Sequence, residues 1–332
     1  MKIVIDSGIP FIKGVFEPYA EVVYAKGEAI SPDMVADADA LVVRTRTRCN
    51  ATLLEGSNIR LVVTATIGTD HIDLDYCHSR GIAVENAAGC NARGVLQWVA
   101  AALAHITAER NAHPEQITLG IVGVGNVGSI VLEYAKAWGF RTICCDPPRE
   151  EREHLGFSPI DEVFAKADVV TLHTPLAPDT LHLVGDKLLE PWHGTDKILI
   201  NASRGEVVDT EALLRSGVDC AIDVWELEPN INRTLLERAF ITTPHIAGYS
   251  LQGKANATSM AVAAIARHFA LPLEGWYPSE VTPSTPKSIS WDELCSSIGA
   301  RYDIAAESLT LKQNPEQFEQ LRNSYNYREE YF

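Results

Sequence analysis

Short apolar runs separated by polar stretches dominate the first 90 residues. Lys2–Ile5, Glu21–Tyr24, Ala40–Val43 and Arg60–Thr64 carry the aliphatic and β-branched side chains of strands, and Ile82–Val84 is expected to add an edge strand. Polar segments with helical character lie between them, and such alternation predicts a parallel sheet flanked by helices. The pattern changes at Ala92–Glu109. There Val95, Leu96, Trp98, Val99, Ala102, Leu103 and Ile106 leave almost no polar face, which predicts a long buried helix between two domains, ended by His113-Pro114. A second alternating series follows, with strands expected at Leu119–Val122, Thr142–Cys145, Val169–His173, Ile198–Asn201, Ala221–Val224 and Phe240–Thr242. Six strands with interleaved helices match a complete doubly wound domain. The helix expected over Gly253–Phe269 turns Met260, Ala263, Ala264 and Phe269 toward a core and returns the chain to the first domain.

The expected class is therefore α/β, with two doubly wound parallel-sheet domains. Residues 92–252 form one, inserted into a domain made from 1–91 and 253–275. Trp276–Lys287, rich in Pro, Ser and Thr, reads as a linker, and Trp291–Ile298 and Pro315–Tyr325 read as short amphipathic helices. Residues 276–332 are expected to be a small α+β region used for dimerisation.

Composition narrows the partners. The 332 residues carry a formal net charge of −16, which repels duplex nucleic acid and anionic membranes alike. No apolar run approaches the ~20 residues that span a bilayer. The opening Met1–Asp6 reads as a strand rather than a signal peptide. Seven scattered cysteines with no Cys-x-x-Cys pair fit free thiols in a cytoplasmic setting. His71, His78, His113 and His173 lack metal-ligand spacing, so no metal is expected.

Gly123-Val124-Gly125-Asn126-Val127-Gly128 follows one expected strand and opens a helix. The first glycine permits a tight turn, the second admits a pyrophosphate to the backbone, and the third lets helix pack on strand. Asp146 ends the next strand, where a carboxylate accepts ribose hydroxyls and repels a 2′-phosphate. A glycine turn beside a surface Asp would explain the residues singly. Strand, turn, helix, strand and acid in this order predict a Rossmann domain that binds NAD, although Arg149 lies close to Asp146.

Three later segments each place a reactive side chain after a strand: Arg204 in Asn201–Gly205, Glu228 in Asp223–Pro229 and His245 in Pro244–Gly248. Ligands of doubly wound sheets bind beyond the carboxyl ends of the strands. Oxidising a secondary alcohol by hydride loss needs a base for the hydroxyl proton, and histidine titrates near ~6.5. A carboxylate orients the ring and stabilises the imidazolium, while an arginine binds a substrate carboxylate bidentately. Singly, each residue has an ordinary structural explanation. Their order behind a dinucleotide motif argues for chemistry.

These segments resemble the D-isomer-specific 2-hydroxyacid dehydrogenases over roughly residues 1–270. The resemblance implies a flavodoxin-like substrate domain around the NAD domain. It implies a carboxylate-binding Arg204 and a His245–Glu228 proton relay. It also implies NAD contacts at Asn126, Val127, Asp146, Thr174, Ala202, Ser203, Arg204, Asp223 and Gly248. Thr64–His71, Cys144–Arg149, His245–Ser250 and the tail Phe318–Glu330 are similar to a subgroup that acts on a phosphorylated hydroxy acid as a homodimer. By that resemblance Thr45, Thr66 and Tyr249 touch substrate. Gln97 stands where relatives commonly carry Glu, the helix between Arg204 and Asp223 is short, and the tail ends early. Arg44, Arg46 and Arg48 alternate after a strand, so an extended chain would place them on one face as a phosphate site, or as a solvated basic edge. Two other readings are an enzyme of the same family using 3-phosphoglycerate and an NAD-sensing corepressor-like binding protein.

Overall fold

The computed structural model describes residues 1–332. The chain forms two compact units, Met1–Asn91 with Ser250–Ser284, and Ala92–Tyr249 with Thr285–Phe332.

The first unit is built on five parallel strands: β1 (Lys2–Asp6), β2 (Glu21–Ala25), β3 (Ala40–Val43), β4 (Leu61–Thr64) and β5 (Ala83–Asn86), in the order β2-β1-β3-β4-β5. The two-residue period of a strand sorts its side chains. Ile3, Ile5, Ala40, Val42, Leu61 and Val63 share one core with Ala261, Val262, Ala264 and Ile265 of the helix Leu251–Phe269. Val4, Leu41, Val43 and Val62 face the other way, onto Val35, Leu53, Leu54 and Cys77. Both faces are covered, which is why β3 and β4 are buried throughout and aliphatic but for Thr64. Ser250 starts the covering helix by accepting the Gly253 amide at 3.0 Å. The strand order reverses between β1 and β3, so the carboxyl ends of those strands make this unit's ligand crevice.

The second unit carries β6 (Thr118–Val122), β7 (Arg141–Cys145), β8 (Val169–Leu172), β9 (Ile198–Asn201), β10 (Asp219–Ile222) and β11 (Ile241–Thr242), all parallel, in the order β11-β10-β9-β8-β6-β7. The helix Ala92–Glu109 forms as expected and lies wholly in this unit. Leu96, Trp98 and Leu103 meet Leu119, Ile121 and Ile200 on one face of the sheet. Trp192, Phe164 and Leu213 meet Val170, Leu199 and Ile222 on the other.

The sheet is doubly wound as expected, its order reversing between β6 and β8 with β7 at one edge, where the 3-2-1-4-5-6 order would place a further strand outside β7. After Cys145 the chain makes a short helix, then turns through His154 and Gly156, both at positive φ, before Pro159. Only Ser158 bonds back to this strand, its amide donating to the Cys144 carbonyl at 2.8 Å. The C-terminal segment, expected to be mixed α+β, adds no strand to either sheet. Its helices are Trp291–Arg301, Ile304–Gln313 and Phe318–Asn323, and the middle one was not foreseen. Burying Leu311 and Phe318 in the second unit's core stabilises the fold by about 2 kcal/mol each.

Candidate active site

Each glycine of Gly123–Gly128 has a distinct local cause. Gly123 ends β6 at φ 84°, a region costly for other residues, and a Cβ there would lie 2.8 Å from the His173 carbonyl group. A Cβ on Gly128 would overlap the Gly123 carbonyl oxygen, so helix Asn126–Ala137 packs this closely only with glycine. Gly125 faces open space, with no atom within 4 Å of where a Cβ would stand. Beside Gly123, two residues past the end of β8, the buried Thr174 hydroxyl has no hydrogen-bond partner. An open glycine and an orphaned hydroxyl beside the N-terminus of a 12-residue helix fit a dinucleotide pyrophosphate.

Asp146 follows β7. Its Oδ2 accepts the Val124 amide at 2.8 Å and its Oδ1 the Arg149 amide at 3.0 Å, which locks the carboxylate beside the glycine turn. Arg149 is engaged by Glu153 at 2.9 and 2.6 Å and by the Val124 carbonyl at 2.6 Å. It is thus committed within the protein rather than offered to a 2′-phosphate.

The loops after β9, β10 and β11 carry the other expected residues. Asn201 shapes the first: its Oδ1 accepts Ser203 N and Oγ, and its Nδ2 donates to the Arg204 carbonyl. Gly205 then passes so near Trp225 that a Cβ would overlap the Trp225 carbonyl. In the second loop Glu228 Oε1 accepts the Trp225 amide at 2.9 Å. Its Oε2 meets His245 Nδ1 at 2.8 Å, with 27% of the His245 and 19% of the Glu228 side chain exposed. Burial pushes the Glu228 carboxyl up, but His245, Arg322 and the Trp225 amide outweigh it and hold the net value below the ordinary one. Glu228 is therefore ionised at neutral pH.

His245 stands at φ 57°, a left-handed position that costs a residue of this type about 1–3 kcal/mol. The turn is held from below by Asp223, only 1% exposed. Asp223 Oδ1 accepts Ile246 N at 2.8 Å and the Thr243 hydroxyl at 2.6 Å, and Oδ2 accepts Ala247 N at 3.0 Å. Trp98 extends the network by donating to Thr243 at 2.9 Å. Burial, the dominant influence, raises the Asp223 carboxyl above its usual range despite these donors.

Residues 94–247 match the family described as D-isomer specific 2-hydroxyacid dehydrogenase, NAD binding domain. An erythronate-4-phosphate dehydrogenase of Bacteroides thetaiotaomicron is 44% identical, over 99% of this chain and 97% of that protein. One of Porphyromonas gingivalis is 36% identical, over 98% and 92%. The chain belongs to the D-isomer-specific 2-hydroxyacid dehydrogenase family. The solved NAD-bound 3-phosphoglycerate dehydrogenase of Entamoeba histolytica shares the fold, with a TM-score of 0.67 at 24% identity over 85% of this chain and 99% of that one. This dehydrogenase uses NAD and acts on a 2-hydroxy acid. No helix is long and apolar enough to cross a membrane.

The structure brings Gly123, Gly125, Asn126, Val127, Gly128, Asp146, Thr174, Ala202, Ser203, Arg204, Asp223, Glu228, His245, Gly248 and Tyr249 of the dehydrogenase into the second unit. Thr45, Thr66, Arg44 and Arg46 belong to the first, following β3 and β4. The Thr66 hydroxyl lies 2.6 Å from that of Thr64 and 3.2 Å from the Gly68 carbonyl. The three-arginine face is not formed. The chain turns at Thr45-Arg46 instead of staying extended, with Thr47 N bonding to the Arg44 carbonyl. Arg44 reaches the Gly8 carbonyl at 2.7 Å, across the ends of β3 and β1, whereas Arg46 and Arg48 line a hollow of about 370 Å³ with Glu28 and Asn50.

Arg322 and Arg328 lie within the tail segment Phe318–Glu330, but the sequence assigns neither a place at the site. Only packing of the tail brings them to the loops after β10 and β11. Arg328 is 7% exposed and donates to the carbonyls of Ile246, Tyr249, Ala247 and Gly94.

A pH dependence of stability follows from His173. Its Nε2 lies 3.0 Å from the Thr171 hydroxyl, its Nδ1 is buried without a partner, and burial pushes the ring down to about 3. An unfolded histidine titrates near ~6.5, so the unfolded chain binds the extra proton between those values. This contribution is complete above pH ~6.5 and is lost as pH falls, by about 2 kcal/mol at pH 5. Urea unfolding at pH 7 and pH 5 should show a smaller loss for His173→Gln than for wild type. Equal losses would rule His173 out as the cause.

Proposed function

We propose that this dehydrogenase oxidises 4-phospho-D-erythronate to 2-oxo-3-hydroxy-4-phosphobutanoate, a step in the synthesis of pyridoxal 5′-phosphate. The observation that carries the chemistry is the 2.8 Å hydrogen bond between His245 and an ionised Glu228. The substrate reading is supported by relatives named erythronate-4-phosphate dehydrogenase along nearly the whole chain. NAD, held by Gly123–Gly128 and Asp146, supplies the hydride acceptor when bound. His245 accepts the proton of the 2-hydroxyl through Nε2, because Nδ1 is turned to Glu228. Glu228 stabilises the imidazolium so formed. Arg204 binds the substrate carboxylate and polarises the nascent carbonyl. Thr45, Thr66 and Tyr249 contact the rest of the substrate, with Arg44 or Arg46 as the phosphate ligand. The enzyme works as a homodimer in the cytoplasm, and its C-terminal helices supply the dimer contact.

The deciding assay compares NADH formation from 4-phosphoerythronate and 3-phosphoglycerate at matched concentrations. A kcat/KM at least about 100-fold higher for the four-carbon acid is expected, since a site built for specific polar groups rejects analogues that leave them unpaired. Equal or reversed preference would overturn the substrate assignment. Arg44→Ala and Arg46→Ala, made separately, identify the phosphate ligand. At least one should raise KM for the phosphorylated acid about tenfold or more, the value of a charge-assisted bond. An unchanged KM in both would remove the two arginines from the site.

A further inference from the structure

The largely buried guanidinium of Arg322 touches two residues of the proposed site. Its Nη1 lies 3.6 Å from Glu228 Oε2, the oxygen that also meets His245, and its Nε donates to the Tyr249 hydroxyl at 3.2 Å. Only 26% of its side chain is exposed, against 19% for Glu228. Desolvating a cation to this degree is costly unless the protein answers it with charge and hydrogen bonds. Tyr249 also lies edge-on to Tyr325 and Tyr327, with ring centroids 6.2 and 6.1 Å away. One stretch of the tail thus surrounds Tyr249 and reaches the far side of the His245–Glu228 pair, while Arg328 fastens the His245 loop through its carbonyls.

We propose that Arg322 is a positioning residue: it fixes Glu228 in the orientation that serves His245 and aims Tyr249, so that the C-terminal segment completes the active site of its own chain. The inference rests on the proposed roles of His245, Glu228 and Tyr249. Its electrostatic consequence has a definite sign. The charged and titratable groups around His245 and its loop include Glu228, Asp223, Arg322, Arg328, Tyr249 and Tyr325. Arg328 is engaged by the loop carbonyls, whereas Arg322 is the cation in contact with Glu228. Without it the His245–Glu228 pair holds its shared proton more tightly, and the form able to accept a proton from substrate appears at higher pH.

Arg322→Gln and Arg322→Lys in the full chain test this, with kcat/KM for hydroxy-acid oxidation followed from pH 5 to 10 and NADH binding followed by fluorescence. In Arg322→Gln the acidic limb should move upward by about one pH unit, the effect of losing a charge near the pair at intermediate dielectric. Its kcat at pH 7 should fall about tenfold or more, with NADH affinity unchanged. Arg322→Lys keeps the charge but not the planar fork, so its limb should stay in place while KM for the acid rises, as in Tyr249→Phe. If Arg322→Gln fails to fold, the lysine variant decides alone: a displaced limb or an unchanged KM overturns the proposal. A folded Arg322→Gln with wild-type limb and kcat overturns it too. Loss of turnover in His245→Asn beside a wild-type Arg322→Gln would defeat this inference alone, whereas full turnover in His245→Asn would defeat the reading beneath it.

Discussion

His245→Asn is expected to lower kcat for the hydroxy acid by about 10²–10⁴-fold, the usual value of a positioned general base, while NADH still binds with wild-type affinity. Asparagine is the informative replacement. His245 sits at φ 57°, and asparagine enters that region more readily than most residues. The Asp223 bonds to Ile246 N and Ala247 N involve backbone donors and survive the change. What disappears is the imidazole, and with it the hydrogen-bond partner of Glu228 Oε2, which keeps Arg322 at 3.6 Å. Alanine would add strain to that loss and confuse the two. Stopped-flow hydride transfer and a fluorescence titration with NADH separate chemistry from binding. A variant that turns over at more than a tenth of the wild-type rate would remove His245 from the reaction.

Gly205→Ala should be the most damaging single methyl group added at the site. The Arg204 loop and the Trp225–Glu228 loop cross at this residue, and an added Cβ would overlap the Trp225 carbonyl and the Glu226 amide. Backbone atoms cannot step aside as a side chain can, so one loop must move. Overpacking of this kind costs about 3 kcal/mol, which in a unit of this size lowers Tm by about 6–12 °C. Activity should suffer more than stability suggests, because the displaced loops carry Arg204 and Glu228. Displacements near 1 Å at reacting groups cost about 100-fold in rate. Calorimetry and kcat/KM on the same preparation test both parts, and a variant with wild-type Tm and kinetics would show that the crossing yields freely.

What the sequence discloses is what local chemistry specifies. The strands were legible because each is a run of buried aliphatic residues bounded by polar turns, as Ala40–Val43 and Ile198–Asn201 show by forming with the expected limits. The glycine turn was legible because its spacing encodes backbone geometry. Glu228 and His245 are 17 residues apart, yet each follows a strand, and the topology of a parallel sheet brings such positions to one edge. Other features depend on packing. The turn at Thr45-Arg46 contains neither glycine nor proline, so nothing local announced that the arginines would diverge. Helix Ile304–Gln313 buries Ile304, Ser308 and Leu311 but leaves Leu309 exposed, too weak a stripe to be read in advance. That β7 stands at an edge of the sheet is likewise set by packing, because an apolar run does not say where in the sheet it pairs. Arg322 matters only because a helix from the end of the chain lands against Glu228.

The split of the first unit between Met1–Asn91 and Ser250–Ser284 also has a consequence during synthesis. When the ribosome has released the five strands of its sheet, the side chains of Ile3, Ile5, Val42 and Val63 have only Ile9, Ile12, Val15 and Phe16 as cover, because Ala261, Val262 and Ile265 do not yet exist. The segment that comes between carries most of the second unit's core, but that unit too is incomplete until Leu294, Leu311 and Phe318 of the tail are made. The nascent amino-terminal sheet must wait with an oily surface until the helix ending at Phe269 emerges. Stretches that idle in this state are the ones holdase chaperones bind, so a transcript cut short before that helix would yield aggregates rather than a smaller enzyme.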